Sequence, residues 1–424
     1  MHIQRKPQTQ PSESSFQDGA VGLRSRPLRV LLVSSLFPPT VVGGAETVVS
    51  DLAIELRTLG FTVTVLTTQP TGGISREVLP HGIEVIRVSP YQFYWPWGDA
   101  RPSLPARVAW HVLDTWNILN LHRLRFLSTF DVIHTHNLSA LSPAVWMKAR
   151  RKANVVIHTA HDYYLLCPRA TLLRSSDRVC TDAPVPCRIY RSAHLLQLRQ
   201  IDALTAPTMH VLQRHELEGA SVRVKRVIHN GVALPPLTAA RKSNHEGFNL
   251  LFLGQVSRHK GVLTAIDAVR FSRADDVQLD IAGRGELEES VREIAASDSR
   301  IRYHGFVDGR EKEKLLSHAD ALIVPSIWEE PAPLSILEAL VRGLPVIASR
   351  IGGIPELVRH DVDGFLATPG SSDEFAQAIG WVRLHQDRMR TSVASRRHGF
   401  SKQRMANDFA RLYLELLGTT RRGL

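Results

Sequence analysis

Two glutamates in the carboxyl-terminal half carry the most specific chemical signal of the sequence. Glu330 and Glu338 are separated by seven residues within the segment PSIWEEPAPLSILEALVRG, residues 325–343. Glu330 lies in a loop before a predicted helix and Glu338 lies one to two turns inside it, so the two carboxylates can reach a cleft at different depths. Carboxylates accept hydrogen bonds from hydroxyl groups. One of them is suited to sugar hydroxyls and the other to ribose hydroxyls.

Two predicted helix starts are candidate sites for an anion. Pro333 stands near the first turn of the helix that Gly343 ends. A proline there removes an amide that would lack a partner, and it leaves the other free N–H groups to a phosphate. Gly43 and Gly44 precede a second predicted helix. Glycine lets a backbone approach a ligand closely, although the pair is also compatible with a simple turn.

The elements that must position these residues alternate between strands and helices. The run Arg29–Ser35 is apolar through its centre, which is typical of a strand buried on both faces. Ala45–Leu59 repeats apolar residues at helical spacing, and Gly60 ends that helix. Further strands are predicted at residues 61–67, 83–88, 131–134, 155–158 and 203–205. This order predicts a doubly wound α/β domain.

A second series of strands follows a stretch rich in proline and alanine. Its strands are predicted at residues 250–254, 277–283, 321–325 and 345–349. We expect a disordered polar leader and two domains joined by a linker and followed by a closing helix, with bounds 1–27, 28–231, 232–247, 248–400 and 401–424. Ligands of such sheets bind at the carboxyl ends of the strands. The loops after the strands should therefore line one cleft between two facing Rossmann-like domains.

Charge and composition narrow the class of protein. The 424 residues carry a net charge of +11, of which residues 1–230 hold +10. This asymmetry indicates an anionic partner for the first domain, although an Arg-rich composition alone gives the same excess. No apolar stretch reaches the roughly 18 residues that span a bilayer, and the amino-terminal segment lacks the apolar centre of a secretory signal. We therefore expect a cytoplasmic protein.

The three cysteines are Cys167, Cys180 and Cys187. An odd number cannot pair completely, which gives no reason to assign an oxidising compartment. Together with His161 or His194 they could form a zinc site, but no C-x2-C pair is present. We favour three incidental thiols in a small loop excursion, with Cys167 packed as a small apolar residue.

The sequence resembles the retaining GT-B glycosyltransferases of family four, also called glycosyltransferase group 1, over most of its length. Glu330 and Glu338 match the E-x7-E motif of that family. Further matching motifs follow one another in the family's order, namely Gly43-Gly44-Ala45-Glu46, Asp131-Val-Ile-His134-Thr-His136, His161-Asp162-Tyr-Tyr-Leu-Leu-Cys-Pro, Asn230-Gly231-Val, Lys260-Gly261-Val, Gly283-Arg-Gly285 and Gly352-Gly353-Ile-Pro355-Glu356. The resemblance implies a GT-B fold, with an acceptor-side first domain and a second domain that binds a nucleotide sugar.

The resemblance also implies roles for single residues. Glu338 would bind the donor ribose, while Glu330 and His161 would lie near the donor sugar at the reacting centre. For His134 and His136 we leave open whether they act on a substrate or are only packed and hydrogen-bonded at the strand end.

Donor binding is implied for further positions of the second domain. Lys260 matches the family's lysine at the diphosphate. Gln255 stands where the family often has an arginine, and Arg258 is the candidate substitute for the missing charge, unless it is only a solvated loop residue. The remaining donor-binding positions implied by the resemblance are Gly43, Gly44, Gly283, Gly285, Phe306, Val307, Pro333, Leu334 and Ser335.

The resemblance implies transfer on one face of the sugar, with a donor phosphate oxygen assisting deprotonation of the acceptor. No protein nucleophile is then required, and the sequence contains no convincing Asp-x-Asp metal motif. We therefore expect no metal and no cofactor beside a UDP- or GDP-linked donor. The motifs identify neither the donor sugar nor the acceptor, because such contacts come from variable loops.

The segment Tyr91–Phe130 is the candidate acceptor-side surface. It combines five aromatic residues at 91–97 with a predicted helix in which apolar residues stand among basic ones, namely Val108, Val112, Leu113, Trp116, Leu119 and Leu124 among Arg107, His111, His122, Arg123 and Arg125. Such a composition is typical of a segment that rests on anionic lipid, but an apolar stripe is also typical of a core helix. The first interpretation predicts a lipid-linked or envelope-glycan acceptor at the cytoplasmic face of a membrane.

Three other classes of protein compete with this interpretation. A sugar-nucleotide epimerase or phosphorylase on the same scaffold is the nearest alternative enzyme. A dehydrogenase is disfavoured because no G-x-G-x-x-G opens the first helix. A nucleic-acid-binding protein would use the basic first half, but its aromatic residues cluster at 91–97 instead of alternating with basic residues along a groove. We therefore expect no nucleic-acid partner.

Overall fold

The structure, a computed structural model, describes residues 26–98, 101–117, 129–174, 179–236, 247–272 and 274–421. These residues form an eight-stranded sheet followed by a six-stranded sheet, with helices between the strands. The predicted α/β class with two Rossmann-like domains is thereby confirmed. The predicted leader, except for its last two residues, and residues 237–246 of the predicted linker lie outside the described residues.

The first sheet has the strand order β3-β4-β2-β1-β5-β6-β7-β8 and is parallel except for β3, which pairs antiparallel with β4. Its strands are β1 Arg29–Val33, β2 Thr62–Thr68, β3 Ile74–Leu79, β4 Ile83–Val88, β5 Phe130–Thr135, β6 Ala153–Thr159, β7 Ala203–Ala206 and β8 Val224–Val227. Its helices are α1 Gly44–Thr58, α2 Leu104–Thr115, α3 Val145–Ala149, α4 Val185–Gln197 and α5 Met209–Leu217.

The second sheet is parallel throughout, in the order β11-β10-β9-β12-β13-β14. Its strands are β9 Phe248–Leu253, β10 Val277–Ala282, β11 Ile301–Gly305, β12 Ala321–Val324, β13 Val346–Ser349 and β14 Gly364–Ala367. The helices along this part of the chain are α6 Val262–Phe271, α7 Glu288–Ser297, α8 Gly309–His318, α9 Leu334–Leu340, α10 Ile354–Leu357, α11 Ser372–Arg396 and α12 Lys402–Arg421.

The central strands are apolar on both faces because each face meets a layer of helices. In β1, Val30 and Leu32 pack into one buried cluster, and Leu31 and Val33 pack into the cluster on the opposite face. Successive side chains of a strand point to opposite faces, so a strand covered on both sides needs a continuous apolar run. This is why the sequence predicts the inner strands to within one or two residues.

The four strands that the sequence analysis missed are the four sheet edges, β3, β8, β11 and β14. An edge strand has one pairing neighbour and more contact with water, so it carries charged and polar residues that obscure the apolar pattern. β3, with the sequence ISREVL, is exposed along most of its length. The position at a sheet edge accounts for β3, β8 and β11, whereas β14, with the sequence GFLA, is mostly buried and is not explained in this way.

The carboxyl-terminal helix α12 returns to the first domain. Met405, Phe409 and Tyr413 are buried in the same cluster as Val30 and Leu32 of β1. The helix lies within the predicted closing segment 401–424. It completes the core of the first domain and so joins the two ends of the chain.

Candidate active site

The loops after β1 and β12 meet at the boundary between the two domains. A Cβ atom on Gly44 would lie 2.7 Å from Cδ1 of Leu334, so the Leu334 side chain would have to shift if a larger residue stood there. Leu334 is the first residue of α9, Pro333 precedes it as the N-cap, and Ser335 follows it half-buried. The structure therefore brings the predicted donor positions of both domains into contact.

Glu330 is held by a lysine and a serine. Lys260 Nζ donates to Glu330 Oε1 at 2.7 Å, and Ser326 Oγ donates to the same oxygen at 2.7 Å. The Lys260 ammonium also lies 5.0 Å from the ring centroid of Trp328. The Glu330 side chain is only 3% exposed, whereas that of Lys260 is 24% exposed. The carboxylate is therefore fixed and charge-balanced, while the lysine keeps access to solvent.

Glu338 forms a separate ion pair. Lys312 Nζ of α8 donates to Glu338 Oε1 at 2.7 Å. The same glutamate uses its backbone, since Arg342 Nη1 donates to its carbonyl oxygen at 2.7 Å. The two carboxylates of the E-x7-E motif thus each contact a different lysine. Lys312 could not be identified from the sequence, because nothing in its spacing relates it to Glu338.

The two glycines after β10 that were predicted to bind the donor are explained by chain packing. Gly283 has φ of 144°, and a Cβ atom there would lie 1.8 Å from the carbonyl oxygen of Gly254. A Cβ atom on Gly285 would lie 2.2 Å from the carbonyl oxygen of Val256. The loops after β9 and β10 therefore need both glycines to pack against each other, with or without a ligand.

The other predicted donor residues of the second domain differ in accessibility. Gln255 and Arg258 are exposed in the loop after β9, and among the described residues Arg258 forms no ion pair. Phe306 is 61% exposed, with the Arg284 guanidinium 5.8 Å from its ring centroid. The side chain of Val307 is buried in the core, so only its backbone can reach a donor.

The amino-terminal end of α1 contains an acidic side chain. Gly43 is the N-cap, and its backbone N–H donates to Glu46 Oε2 at 2.8 Å. Burial raises the pKa of Glu46, and the hydrogen bond from the Gly43 amide partly offsets this rise. Glutamate at the third helical position is a common partner of the N-cap amide. A phosphate that used the Gly43 amide would have to displace this carboxylate.

His161 follows β6 and faces a second histidine. His161 Nε2 and His136 Nδ1 are joined by a hydrogen bond of 2.9 Å, and the two rings are stacked. Burial lowers the pKa of His161 to about 4 and holds that of His136 well below its usual value. Both imidazoles are therefore neutral at physiological pH. β5 and β6 are neighbours in the sheet, which places the two strand ends side by side.

His134 is a packed residue of the first domain. It is fully buried, with Nδ1 2.7 Å from the Tyr413 hydroxyl and Nε2 2.7 Å from Thr159 Oγ1. Both ring nitrogens are thus occupied by protein groups. The interpretation of His134 as a hydrogen-bonded strand-end residue fits this geometry, whereas His136 contacts a candidate catalytic side chain.

Hydrogen bonds to helices α2 and α4 anchor the loop that carries His161. Tyr164 OH donates to the buried carboxylate of Asp114 at the end of α2, at 2.5 Å. Tyr190 of α4 donates its hydroxyl to the Tyr164 carbonyl oxygen at 2.9 Å, and Asp162 Oδ1 accepts the Tyr164 amide at 2.8 Å. Helices α2 and α4 therefore set the position of the His161 loop.

A second contact crosses the domain boundary at the start of α5. Glu356 accepts the backbone N–H groups of Met209 at 2.6 Å and of His210 at 2.7 Å. Thr208 Oγ1 donates to the carbonyl oxygen of Pro331, immediately after Glu330, at 2.8 Å. A carboxylate of the second domain thus caps a helix of the first domain. The sequence analysis quoted Glu356 within a motif but gave it no role.

The three cysteines are unpaired and half-buried. Within the described ranges no group of three or more histidine, cysteine or acidic side chains is arranged to hold a metal ion. His194, the candidate partner of the cysteines, is buried against the rings of Tyr164 and Tyr190.

Among the residues that the structure describes, no helix combines the length and apolar content needed to cross a bilayer.

Two family models match the chain, one in each half. Residues 42–234 match the model described as Glycosyltransferase Family 4. Residues 247–385 match the model described as Glycosyl transferases group 1. The boundary between the two matches falls between β8 and β9, where the first sheet ends and the second begins.

Relatives and a solved structure extend these matches over most of the chain. A protein of the Klebsiella pneumoniae cps region is 24% identical over 78% of this chain and 88% of its own length. The Escherichia coli UDP-Gal:alpha-D-GlcNAc-diphosphoundecaprenol alpha-1,3-galactosyltransferase is 24% identical over 72% of this chain and 81% of its own. Anabaena HepE, solved with UDP and glucose, superimposes with a TM-score of 0.66 at 19% identity, covering 91% of this chain and 99% of HepE.

Proposed function

The chain belongs to the group 1 glycosyltransferases with the GT-B fold, and we propose that it transfers a sugar from a UDP- or GDP-linked donor with retention and without a metal ion. The observation that carries the proposal is the pairing of Lys260 with the buried Glu330 where the two domains meet. A nucleoside diphosphate that leaves a sugar develops negative charge, and fixed cations stabilise it. Lys260 and the exposed Arg258 are the groups that we assign to this charge.

The environment of Glu330 supports a mechanism without a protein nucleophile. One of its oxygens already accepts hydrogen bonds from Lys260 and Ser326, which makes the carboxylate a positioned hydrogen-bond acceptor. We assign it to hydroxyls of the donor sugar. We assign Glu338 to the ribose hydroxyls, which would replace or share its contact with Lys312. His161, on the opposite domain, is assigned to the donor sugar close to the reacting carbon.

Ligand binding followed by product analysis tests the donor and the stereochemistry. UDP, GDP, ADP and their sugars are compared by thermal shift, because a ligand of the folded state raises its apparent stability. The best donor is then incubated with acceptor, and the anomeric configuration of the product is read by NMR. We expect an α-linked donor to give an α-linked product. An inverted product contradicts retention, and turnover without acceptor consumption points to an epimerase or phosphorylase.

Metal independence is tested with the same reaction. We expect EDTA to leave the rate unchanged, because Lys260 and Arg258 are assigned to the diphosphate in place of a divalent ion. Complete loss of activity that Mg²⁺ or Mn²⁺ restores would refute this part of the proposal.

For the acceptor we propose a lipid-linked glycan at an anionic membrane surface. Helix α2 supports this, since its apolar residues at four-residue spacing all face solvent, namely Leu104 at 65%, Val108 at 55%, Val112 at 65% and Trp116 at 47% exposure. The neighbouring α4 adds exposed Val185 and Ile189. The predicted residues Leu119 to Arg125 lie outside the described residues. The alternative in which the α2 stripe packs in the core does not fit these exposures.

Charge and relatives agree with a lipid surface rather than a second protein copy. Arg107 of α2 and Arg188 of α4 are exposed beside the apolar residues, an arrangement that suits anionic head groups. The Escherichia coli relative is described as acting on a diphosphoundecaprenol-linked sugar, and the Klebsiella relative comes from a cps region. Polysaccharide synthesis on a lipid carrier is therefore the assignment that we propose.

Sedimentation with vesicles tests the membrane surface. We expect binding to phosphatidylglycerol vesicles that weakens as salt is added, and a loss of binding in Val108→Glu and Val112→Glu. Val78→Glu is the matched control, because Val78 is 74% exposed on the edge strand β3 and should not contact lipid. Failure to bind at low salt, or self-association through α2 instead, would contradict the assignment.

A further inference from the structure

The two stacked histidines at the cleft share one hydrogen bond, and its direction decides the chemistry of His161. His136 is 1% exposed, and its Nε2 is buried without a hydrogen-bond partner among the described residues. Its Nδ1 lies 2.9 Å from Nε2 of His161. A neutral imidazole carries a single proton, on one nitrogen or the other. The proton between the rings therefore belongs either to His136 or to His161.

The unpartnered nitrogen distinguishes the two arrangements. If His161 Nε2–H donated to His136 Nδ1, then His136 would carry its own proton at Nε2, as a buried N–H group without an acceptor. If His136 Nδ1–H donates to His161 Nε2, the buried His136 Nε2 is only a bare lone pair. Buried donors without acceptors are rarer in proteins than buried acceptors without donors. The second arrangement is therefore the stable one.

We propose that His136 is a positioning residue that holds His161 as the Nδ1–H tautomer, so that His161 presents an N–H donor to an oxygen of the donor sugar. The inference deepens the proposed function and rests on it for the identity of the ligand. His161 Nδ1 has no hydrogen-bond partner in the described part of the chain and is not among its buried unpaired atoms. This nitrogen therefore keeps some exposure to solvent.

The backbone of His136 is held by the sheet, and its ring is packed against a neighbouring ring. Its backbone N–H donates to the carbonyl oxygen of Val33 at 2.8 Å, and the ring of His134 lies against it with centroids 4.1 Å apart. His134 is itself fixed by Tyr413 and Thr159. Burial lowers the pKa of both His136 and His161, which agrees with neutral rings on either side of the bond. With both rings neutral, the Nδ1–H tautomer of His161 is the one that leaves no buried N–H of His136 unpaired.

Two isosteric substitutions separate this role from simple packing. In His136→Asn the amide nitrogen can take the place of Nδ1 and still donate to His161, whereas in His136→Gln it takes the place of Nε2 and cannot. We expect H136N to keep near wild-type turnover and H136Q to lose about 10²-fold in kcat, the usual effect of losing one donor, with a smaller change in the KM for the donor. Turnover is followed as nucleotide release from UDP-glucose or GDP-mannose, whichever stabilises the protein more.

His215 provides the matched control. It is also fully buried with an unpartnered Nε2, but its Nδ1 contacts only the carbonyl oxygen of Val211 on its own helix. H215N and H215Q should therefore both change stability, but the two variants should have the same turnover as each other. Equal activity of H136N and H136Q, or better activity of H136Q, would overturn the proposal.

The tautomer itself is observable without any substrate. Long-range ¹⁵N–¹H NMR of histidine-labelled protein, assigned with a His161→Gln variant, should show His161 protonated at Nδ1 in the wild type and in H136N. In H136Q this signature should disappear. A wild-type His161 protonated at Nε2 would refute the inference even if the enzyme is active. Conversely, a protein that turns over no nucleotide sugar but shows the Nδ1–H tautomer would contradict the proposed function alone.

Discussion

Two fully buried carboxylates, Asp114 in the first domain and Asp363 in the second, are accommodated in opposite ways. In the first domain, Asp114 is fully buried and accepts hydrogen bonds from Tyr164 and Gln92, and no cation pairs with it in the described ranges. Burial raises its pKa to about 7. In the second domain, Asp363 is equally buried, but Arg359 and Arg396 both contact it. Burial raises the pKa of Asp363, yet the arginines outweigh this and leave it below its usual value.

The same difference divides the walls of the candidate site. The first domain presents the neutral imidazoles of His161 and His136, whereas the second presents the pairs Lys260–Glu330 and Lys312–Glu338. A leaving diphosphate gains charge during the reaction, but an acceptor hydroxyl does not carry a full charge before it reacts. The groups that can stabilise the negative charge of the leaving diphosphate therefore lie in the second domain. The first domain supplies uncharged hydrogen-bond donors and acceptors.

Lys260→Met should have the largest effect on both stability and turnover among the substitutions on the second-domain side of the site. The variant leaves the nearly buried Glu330 without its cation, which typically costs about 3 kcal/mol of stability. Loss of a cation at the diphosphate should also lower kcat by about 10²–10³-fold. Denaturant unfolding and nucleotide release measure the two effects.

The double variant Lys260→Met/Glu330→Gln is the control for the stability part. It removes the unpaired charge, so most of the lost stability should return while turnover stays low. If the double variant is no more stable than the single one, the ion pair does not have the energetic role assigned here.

Substitutions of Glu338 and of Glu330 should affect different kinetic constants. Glu338→Gln should raise the KM for the donor by about 10-fold with little change in kcat, because a ribose contact is the same in ground state and transition state. Glu330→Gln should mainly lower kcat, because contacts to the sugar strengthen as it reacts. Glu313→Gln, which alters an exposed ion pair with Arg342, should change neither constant. Identical effects at 330 and 338 would contradict the assignment.

The contact between the domains should have a smaller effect. Glu356→Ala removes the cap from two amides of α5, which typically costs about 1–2 kcal/mol. We expect a loss of kcat/KM of about 10-fold, because the loop that carries Glu330 loses its support from the first domain, and a larger radius of gyration in X-ray scattering. Glu374→Ala removes a carboxylate that accepts the Thr368 amide within one domain, so it should leave the scattering profile unchanged.

A further effect concerns how the stability of the folded state depends on pH. Because the pKa of Asp114 is raised, the folded state holds its proton between the usual value of 3.8 and about 7. Stability from this group is present at low pH and is lost as pH rises through that window. Asp114→Asn should therefore raise the melting temperature at pH 8 by a few degrees and have little effect at pH 4.

For Asp363 we expect the opposite dependence of stability on pH. Its pKa is lowered from 3.8, so its stabilisation is present above that value and is lost as pH falls further. Asp363→Asn should therefore destabilise the protein at pH 7 and less so near pH 3. A wild-type melting profile that Asp114→Asn leaves unchanged between pH 4 and 8 would show that Asp114 is not the buried acid assumed here.

Much of the fold followed from local patterns. The inner strands could be predicted because burial on both faces demands a run of apolar residues, as in Arg29–Val33. His161, Lys260 and Glu330 follow strands of the two sheets, and they could be assigned to one cleft because ligands of parallel sheets bind at the carboxyl ends of the strands. The edge strand β3 could not be predicted, because its exposure removes the apolar run on which the prediction depends.

The sequence by itself determined the two-domain α/β architecture and the residue types available at the cleft, since both depend on near neighbours in the chain. Only the tertiary structure decided which of those residues act together. Lys312 meets Glu338 from another helix, Glu356 reaches the start of α5, and His136 contacts His161 across neighbouring strands. Such partners are separated by 25 to 146 residues. Their contacts arise from how the sheets and helices pack, which no local pattern of residues encodes.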